Sequence, residues 1–311
     1  MVIDMENDFL KRRNYSTPKN GVILFGTFYL CTLCLAAILT PALFHMMKFL
    51  GNRFSMEIFQ HFVDKGFGKF FDRIRLISLV ILLFPFLKVC GFYSLEDVYL
   101  VKIRRRKFLL TFIGGFILTC TIFAWLSLHN VSIFEPVAVK VYFWNLFRFT
   151  MGAISIGFLE EIIFRGVIFN LFLRNLNTTW SILLASLFFA YCHLGVGNNL
   201  NIVDVTIFSG FRCIIPTIMS VGHGFNPLSF LNLMVFGVLL SLLLLKNKSL
   251  LSPIAFHMGV VFALMNIRSF IDVVTFVDGK YYSIGILDAW LSLALQSFVV
   301  LGLIFAKREK V

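Results

Sequence analysis

The stretch FLEEIIFRGVIF, residues 158–169, is apolar except for three charged side chains, Glu160, Glu161 and Arg165. It lies within a long hydrophobic segment, where an ionised side chain at the membrane centre costs about 2.5–3.5 kcal/mol on insertion scales. Three such residues within one and a half helical turns need a specific reason. Because ionisable residues inside spanning helices are usually functional, the stretch predicts both a membrane helix and a polar site within it.

The composition of the chain is that of a helical membrane protein. Of its 311 residues, 59% are hydrophobic and only 14% are charged, and the mean hydropathy is +0.88. Soluble domains average roughly 45–50% apolar and about 25% charged residues. The apolar runs are long and continuous, whereas a transmembrane barrel alternates polar and apolar residues in ~10-residue segments. We therefore expect an all-α, polytopic, multi-pass integral membrane protein in contact with membrane lipid, in the cell membrane if the host is bacterial.

Eight segments are long and apolar enough to be candidate spans, since about 20 residues cross the hydrocarbon region as an α-helix. The run 141–173 is too long for one perpendicular crossing and must tilt or begin along the interface. The connection 51–75 is amphipathic and is expected on the membrane surface. The predicted spans are 21–44, 76–93, 108–128, 141–173, 178–195, 228–245, 251–270 and 286–306.

Residues 201–224 are apolar enough to suggest a ninth span, but they contain charged residues, a proline and several glycines. The positive-inside rule favours eight spans. With eight, the basic clusters at 102–107, 246–248 and 307–310 fall on the same side as the N-terminus, which predicts cytoplasmic termini. With nine, the last two clusters move to the opposite side. We therefore interpret 201–224 as an interfacial or re-entrant insertion.

The predicted organisation is one membrane domain without a soluble module. The net charge of +12 comes mainly from basic clusters at the ends of apolar runs, so it indicates membrane topology and no nucleic-acid partner. The predicted regions are a cytoplasmic tail at 1–20, an N-terminal transmembrane region at 21–140, a core at 141–270 that includes the 201–224 insertion, and a last helix with a basic tail at 271–311.

Helical spacing assigns different roles to the two glutamates. At ~100° per residue, Glu161 and Arg165 lie about 40° apart on successive turns and are expected to form an ion pair. Glu160 and Arg165 lie about 140° apart, so Glu160 has no partner on its own helix and is the candidate general base. The alternative is that all three residues form structural pairs between helices.

Two histidines on other predicted spans strengthen the functional interpretation. His193 ends the segment SLFFAYCH, and His257 lies in SPIAFHMG. Either alone would more often be a packed core histidine, but with the glutamate pair they predict a convergent polar site on three helices. At 1.5 Å per residue, Glu160 and His193 lie ~20 Å from the cytoplasmic helix ends and His257 ~10 Å. The nine-span alternative would place both histidines toward the outer face. The remaining histidines, predicted to be surface or interfacial, are His45, His61, His129 and His223.

These residues resemble the motifs of a known family, the type II CAAX prenyl endopeptidases and bacteriocin-processing proteins, also called the CPBP or Abi family. The family pattern is E-E-x-x-x-R on one membrane helix, F-x-x-x-H on the next, and H-x-x-x-N or H-x-x-x-D two helices later. Glu160, Glu161 and Arg165 match the first motif, and Phe189 with His193 matches the second. His257 stands where the third begins. The resemblance covers about residues 145–265.

The resemblance implies an eight-helix intramembrane protease that cleaves a peptide bond near or within the membrane. It implies that Glu160 and His193 activate a water, that Glu161 and Arg165 belong to the same site, and that His257 stabilises the oxyanion. The implied partners are peptide or protein substrates, either prenylated or bacteriocin-like. Family members are described both as metalloproteases and as metal-free, glutamate-dependent proteases. If zinc is present, its implied ligands are Glu160, His193 and His257; pairing of Glu161 with Arg165 favours metal-free chemistry.

One position departs from the family pattern. Val261 stands four residues after His257, where the family has Asn or Asp, so one oxyanion donor is missing from the motif. Asn266 lies nine residues after His257, on the opposite side of the helix, and is not expected to substitute for it. Loss of one such donor typically costs ~10²–10³ in rate. The nearest replacements in the sequence are the asparagines after His193, namely Asn198, Asn199 and Asn201.

Two classes of function therefore remain open from the sequence. The first is an intramembrane endopeptidase. The second is a non-catalytic relative, a membrane scaffold or bacteriocin-immunity factor, that keeps the polar cluster for structure. A transporter ranks third, because buried charges also line transport paths.

Overall fold

Helices make up most of the chain, as its composition predicts. The computed structural model describes residues 21–54, 57–134, 138–194, 202, 204–219, 226–277, 280–283, 285, 287 and 289–305. The α-helices are α1 (Gly21–Phe54), α2 (Glu57–Asp64), α3 (Phe67–Val89), α4 (Arg105–His129), α5 (Val139–Glu161), α6 (Asn170–Asn175), α7 (Thr178–Leu194), α8 (Ser209–Arg212), α9 (Ile214–Met219), α10 (Pro227–Asn247), α11 (Leu251–Arg268) and α12 (Trp290–Phe305). A π-helix, Ile162–Phe169, joins α5 to α6 without a break.

Several helices have the length and apolarity of membrane spans. Four reach the full length, Ile23–Phe54, Arg105–His129, Pro227–Asn247 and Leu251–Arg268, and two shorter apolar helices are Thr178–His193 and Trp290–Phe305. Large apolar side chains such as Leu110 and Phe298 are exposed on their surfaces, while Thr119 and Ser241 are buried. Exposed apolar and buried polar side chains are expected in a membrane, because lipid solvates apolar side chains. The all-α membrane fold class is confirmed; the number of eight spans stays a prediction.

The segment 201–224 is irregular where the structure describes it. It contains α8, of four residues, and α9, of six residues, and each is too short to cross a bilayer.

Further toward the N-terminus, α1 continues to Phe54, ten residues beyond its predicted end, and α3 begins at Phe67 rather than at 76. Most of the segment 51–75 is therefore helical, and its expected place on the membrane surface stays a prediction.

The chain divides into two compact units. The first unit includes residues 94–190 and 226–311, and the second includes 15–93 and 191–225. In the second unit, phenylalanines of α3 pack against α1 and against the buried Cys213. Gly210 approaches α1 so closely that a Cβ atom would lie 2.0 Å from the Ala37 carbonyl oxygen. Glycine is therefore required at this contact.

Close backbone contacts fix α11 within the first unit. A Cβ atom at Gly259 would lie 2.1 Å from the Phe112 carbonyl oxygen on α4, and one at Gly115 would lie 2.2 Å from the Phe256 carbonyl oxygen. On α5, a Cβ atom at Gly157 would lie 2.7 Å from the Met258 side chain. Small residues allow membrane helices to approach in this way. The helix that carries His257 is therefore held on two sides.

A small antiparallel sheet was not expected from the sequence. Strand β1 (Val131–Phe134) follows α4, and strands β2 (Ile271–Val277) and β3 (Lys280–Ser283) follow α11. β1 pairs with β2 from Val131 opposite Val274 to Phe134 opposite Ile271, and β2 pairs with β3. The strands are short connections between helices, so their pattern is weak beside the adjacent apolar runs. The sheet therefore lies at the C-terminal ends of α4 and α11.

At the other end of α4, the connection Ser94–Val101 is bonded to the helices around it. The Leu250 amide donates to the Tyr99 carbonyl at 2.7 Å, and the Ser249 hydroxyl donates to the Val101 carbonyl. The Asn170 side-chain amide donates to the Asp97 carbonyl at 2.8 Å. The connection therefore packs across the turn between α10 and α11 and the end of the π-helix.

Candidate active site

The charged motif lies where α5 passes into the π-helix. Glu160 and Glu161 end α5, and Arg165 lies inside the π-helical segment. π-helical turns are rare and frequently occur at functional sites. Gly166 packs against the connection Ser94–Val101, because a Cβ atom there would lie 3.2 Å from the Val98 Cβ. The sequence, interpreted with an α-helical period, did not predict this change of helix type.

Arg165 forms the ion pair expected from the four-residue spacing. Its Nη1 donates to the Glu161 Oε1 at 2.9 Å, and both side chains are almost fully buried. Its Nη2 donates to the Gly237 carbonyl at 3.3 Å, and its guanidinium lies 4.4 Å from the centroid of the Phe189 ring. A carboxylate, a carbonyl and an aromatic face thus offset the cost of removing this cation from water.

His257 is oriented by the same glutamate. Its Nδ1 lies 2.9 Å from the Glu161 Oε1. Because an ionised carboxylate only accepts hydrogen bonds, Nδ1 carries the hydrogen. The edges and faces of Phe236 and Phe189 enclose the ring, with centroid distances of 5.3 and 6.2 Å. The imidazole therefore has one tautomer and one orientation when it is neutral.

Glu160 is the accessible member of the group. Its Oε2 lies 3.8 Å from the Nε2 of His257, and 29% of its side chain is exposed, against 5% for His257 and 0% for Glu161. A separation of 3.8 Å is longer than a direct hydrogen bond and leaves the two polar groups able to share a water or a substrate oxygen. Three side chains form a buried series, Arg165–Glu161–His257. The accessible carboxylate of Glu160 lies beside its last member, His257.

This arrangement separates two chemical roles. Glu161 is occupied by two donors, Arg165 and His257, so it holds its neighbours in place. A neutral His257 presents the Nε2 lone pair beside Glu160, and a protonated one presents an N–H in the same direction. Glu160 faces this nitrogen and is accessible, which suits it to exchange protons with a reactant.

Four of the five predicted site residues come together in the first unit, namely Glu160, Glu161, Arg165 and His257. His193 lies in the last turn of α7, four residues after Phe189, in the part of the chain that belongs to the second unit. Its pairing with Glu160 stays a prediction. Sequence reasoning missed the bond between His257 and Glu161, which no spacing rule reveals because the two residues are 96 positions apart.

The positions that bear on the oxyanion are partly described. Val261 is buried and apolar, one helical turn after His257. Asn266 donates its side-chain amide to the Phe262 carbonyl within α11. Asn198, Asn199 and Asn201, together with His223 and the His61 side chain, lie outside the described residues. The His45 Nε2 lies 3.1 Å from the Val205 carbonyl oxygen, and the His129 Nδ1 lies 2.8 Å from the Trp125 carbonyl oxygen.

The donor set of the cluster fits a metal ion poorly. No three His, Cys, Asp or Glu side chains among the described residues are grouped so that they could hold one. Glu161 Oε1 already accepts from Arg165 and His257, and the buried guanidinium beside it would repel a second cation. Three ligands for zinc would have to come from Glu160, the Nε2 of His257 and His193.

Comparison with protein families agrees with the motif. The family model described as type II CAAX prenyl endopeptidase Rce1-like matches residues 142–263. The matched segment contains the whole buried series and Glu160, together with His193. No curated protein and no solved structure is significantly similar to the chain.

Proposed function

Since residues 142–263 match the model of the Rce1-like type II CAAX prenyl endopeptidase family, we propose that this protein is an intramembrane endopeptidase that hydrolyses peptide bonds with Glu160 as general base. The observation that carries the proposal is the contrast within the cluster. Glu160 is partly exposed beside the Nε2 of His257, while Glu161, Arg165 and His257 are buried and bonded to one another.

In the proposed reaction, the Glu160 carboxylate removes a proton from a water molecule as the water oxygen attacks the carbonyl carbon of the peptide. The carbonyl π electrons move to oxygen and form a tetrahedral oxyanion. When the C–N bond breaks, Glu160 returns the proton to the leaving nitrogen. The products are a carboxylic acid and an amine, so one water is consumed for each bond cleaved. From the family resemblance, His193 helps Glu160 to hold the water.

His257 is the proposed donor to the oxyanion. Its Nδ1–H is committed to Glu161, so it can donate to a substrate oxygen only from Nε2, and only when the ring is protonated. The charge of an imidazolium would strengthen a single donor, which compensates in part for the apolar Val261.

The reaction is proposed to need no metal. Glu161, itself held by Arg165, orients His257. The buried Arg165 guanidinium supplies positive charge that a metal ion would otherwise bring to the site. Cleavage is therefore expected to survive dialysis against a chelator at constant calcium and magnesium. Loss of activity on chelation, with recovery on addition of zinc alone, would contradict metal-free chemistry while leaving the protease assignment intact.

The substrate is proposed to be a peptide or protein segment at the membrane, of the prenylated CAAX class or of the bacteriocin-like class. Cells that carry either the wild type or Glu160→Gln allow a comparison of protein termini across the proteome. We expect new C-termini and N-termini that depend on the wild-type glutamate. Glu96→Gln is the matched control, since it makes the same chemical change at an exposed glutamate in the connection Ser94–Val101.

A non-catalytic scaffold is the second candidate, and Val261 is the observation that favours it. A scaffold would perform its biological role equally well with Glu160→Gln, and the termini of cellular proteins would not differ. A protease with Glu160→Gln would lose its biological role, and the termini that it produces by cleavage would disappear. The same pair of strains therefore separates the two functions.

A further inference from the structure

A concentrated positive patch lies at the start of α4. The run KIRRRK carries five cations, and Lys102, Arg104, Arg105 and Arg106 are exposed while Lys107 is half-buried. The first turn of α4 contains no acidic residue, and Arg104 at its N-cap provides no capping side chain. We call residues 102–107 the basic run.

The charges of the basic run are not neutralised within the described part of the chain. None of its five cations makes an ion pair with a described residue. The nearest acidic residues in the sequence are Glu96 and Asp97, and Asp97 accepts a hydrogen bond from the Ser94 amide. From residue 98 to residue 134 the sequence contains no Asp or Glu.

The basic run is also fixed in position. The hydrogen bonds from Leu250 and Ser249 to the carbonyls of Tyr99 and Val101 hold the chain immediately before it against the turn between α10 and α11. The last turn of α10 adds Lys246, and the turn that follows adds the exposed Lys248. The cations of two separate segments are thereby presented at one end of the first unit.

An apolar surface follows the cations directly. Along the next turns of α4, Leu109, Leu110, Ile113 and Ile117 are exposed. A ligand that matches both surfaces has a negative head and a hydrocarbon tail. A nucleic acid or an acidic protein matches only the charges.

We propose that the basic run and the adjacent face of α4 form a binding site for anionic phospholipids. The guanidinium and ammonium groups bind the lipid phosphate, and the acyl chains lie along the exposed leucines and isoleucines of α4. Juxtamembrane clusters of four to eight basic residues attract anionic leaflets in this way. The site is distinct from the Glu160 cluster, and its existence does not depend on the proposed protease activity.

The test uses the purified full-length protein in mixed micelles with phosphatidylglycerol, with phosphatidylcholine, or with inorganic phosphate. Native mass spectrometry counts bound lipids, and their release is measured as the salt concentration rises. We expect a strong preference for phosphatidylglycerol over phosphatidylcholine. In the triple variant R104Q/R105Q/R106Q the affinity for phosphatidylglycerol should fall by roughly 100-fold, since each basic residue near the surface contributes about fivefold.

The matched control removes the same number of positive charges elsewhere. The variant K140Q/R148Q/R268Q neutralises exposed basic residues at the start of α5, in the middle of α5 and at the end of α11, outside the basic run. It should keep the preference for phosphatidylglycerol. Protease accessibility of the C-terminus in proteoliposomes shows whether either triple variant has inverted its orientation, because basic clusters also determine topology.

Four outcomes would overturn the proposal. Equal loss of affinity in the two triple variants would indicate a general charge effect. Equal binding of the two lipids by the wild type would remove the selectivity for charge. Binding of inorganic phosphate as strong as that of phosphatidylglycerol would assign the site to free anions. Displacement of the bound lipid by an added acidic peptide would assign the site to a protein partner.

Discussion

Glu161 is the residue on which the buried cluster depends, because one oxygen atom accepts from both Arg165 and His257. Removing one partner of a buried ion pair costs about 3–5 kcal/mol, since it leaves the other charge unpaired. We therefore expect Glu161→Gln to lower the free energy of unfolding by that amount. Unfolding in detergent, followed by circular dichroism, measures it.

A double variant separates the charge effect from the catalytic one. In Glu161→Gln with Arg165→Gln no unpaired charge remains, so stability should recover in part. Activity should not recover, because His257 has lost the acceptor that orients it. A single variant as stable as the wild type would contradict the structural role of Glu161. Normal peptide cleavage by the double variant would contradict its role in orienting His257.

Val261 gives a second prediction for a single residue. If His257 and one of Asn198, Asn199 and Asn201 hold the oxyanion, changing that asparagine to Ala should lower turnover by ~10²–10³ with folding unchanged. The single substitution Val261→Asn, with the three asparagines intact, should then be neutral or mildly activating. Robust cleavage in the wild type and in all three Ala variants would show that His257 alone suffices.

The packing of whole helices determines where His257 stands. In α11, Gly259 follows His257 by two residues and lies against the backbone of α4. A methyl group there would lie 2.1 Å from the Phe112 carbonyl oxygen, so Gly259→Ala must push the helices apart. Overpacking typically costs about 1–3 kcal/mol, and we expect both the unfolding temperature and turnover to fall.

A glycine in open surroundings provides the control for this substitution. Gly302 lies in α12, where an added methyl group would have nothing within 4 Å, so Gly302→Ala should leave stability unchanged or raise it slightly. Similar losses in both variants would mean that the loss at Gly259 does not come from the close contact between α4 and α11.

At the level of elements, the sequence predicts what has a local period and misses what does not. Long apolar runs identify the helices that have the length and apolarity of membrane spans. The four-residue spacing of Glu161 and Arg165 predicts their ion pair, which the structure contains. The π-helix cannot be inferred, because it depends on how the segment packs against its neighbours. The contact of His257 with Glu161 joins residues 96 positions apart, and no periodicity reports it.

For the whole molecule, the distribution of basic clusters predicts the topology in the membrane. We expect eight spans with both termini cytoplasmic, because only that number places the basic clusters at 102–107, 246–248 and 307–310 on one side. Reporter fusions after residues 248 and 311 should both report the cytoplasm. An external signal from either fusion would favour nine spans and would require 201–224 to cross the bilayer.

The central claim is that Glu160 is the general base of a peptide hydrolase, and cleavage by the purified protein tests it most directly. The measurement is turnover by the wild type, Glu160→Gln and Glu96→Gln, in proteoliposomes with a fluorescent peptide taken from the proteome comparison. The account predicts normal turnover in the wild type and Glu96→Gln. It predicts loss of at least ~10²-fold in Glu160→Gln, the lower end for a missing general base, with an unchanged unfolding temperature. Undiminished cleavage by a folded Glu160→Gln protein would contradict it.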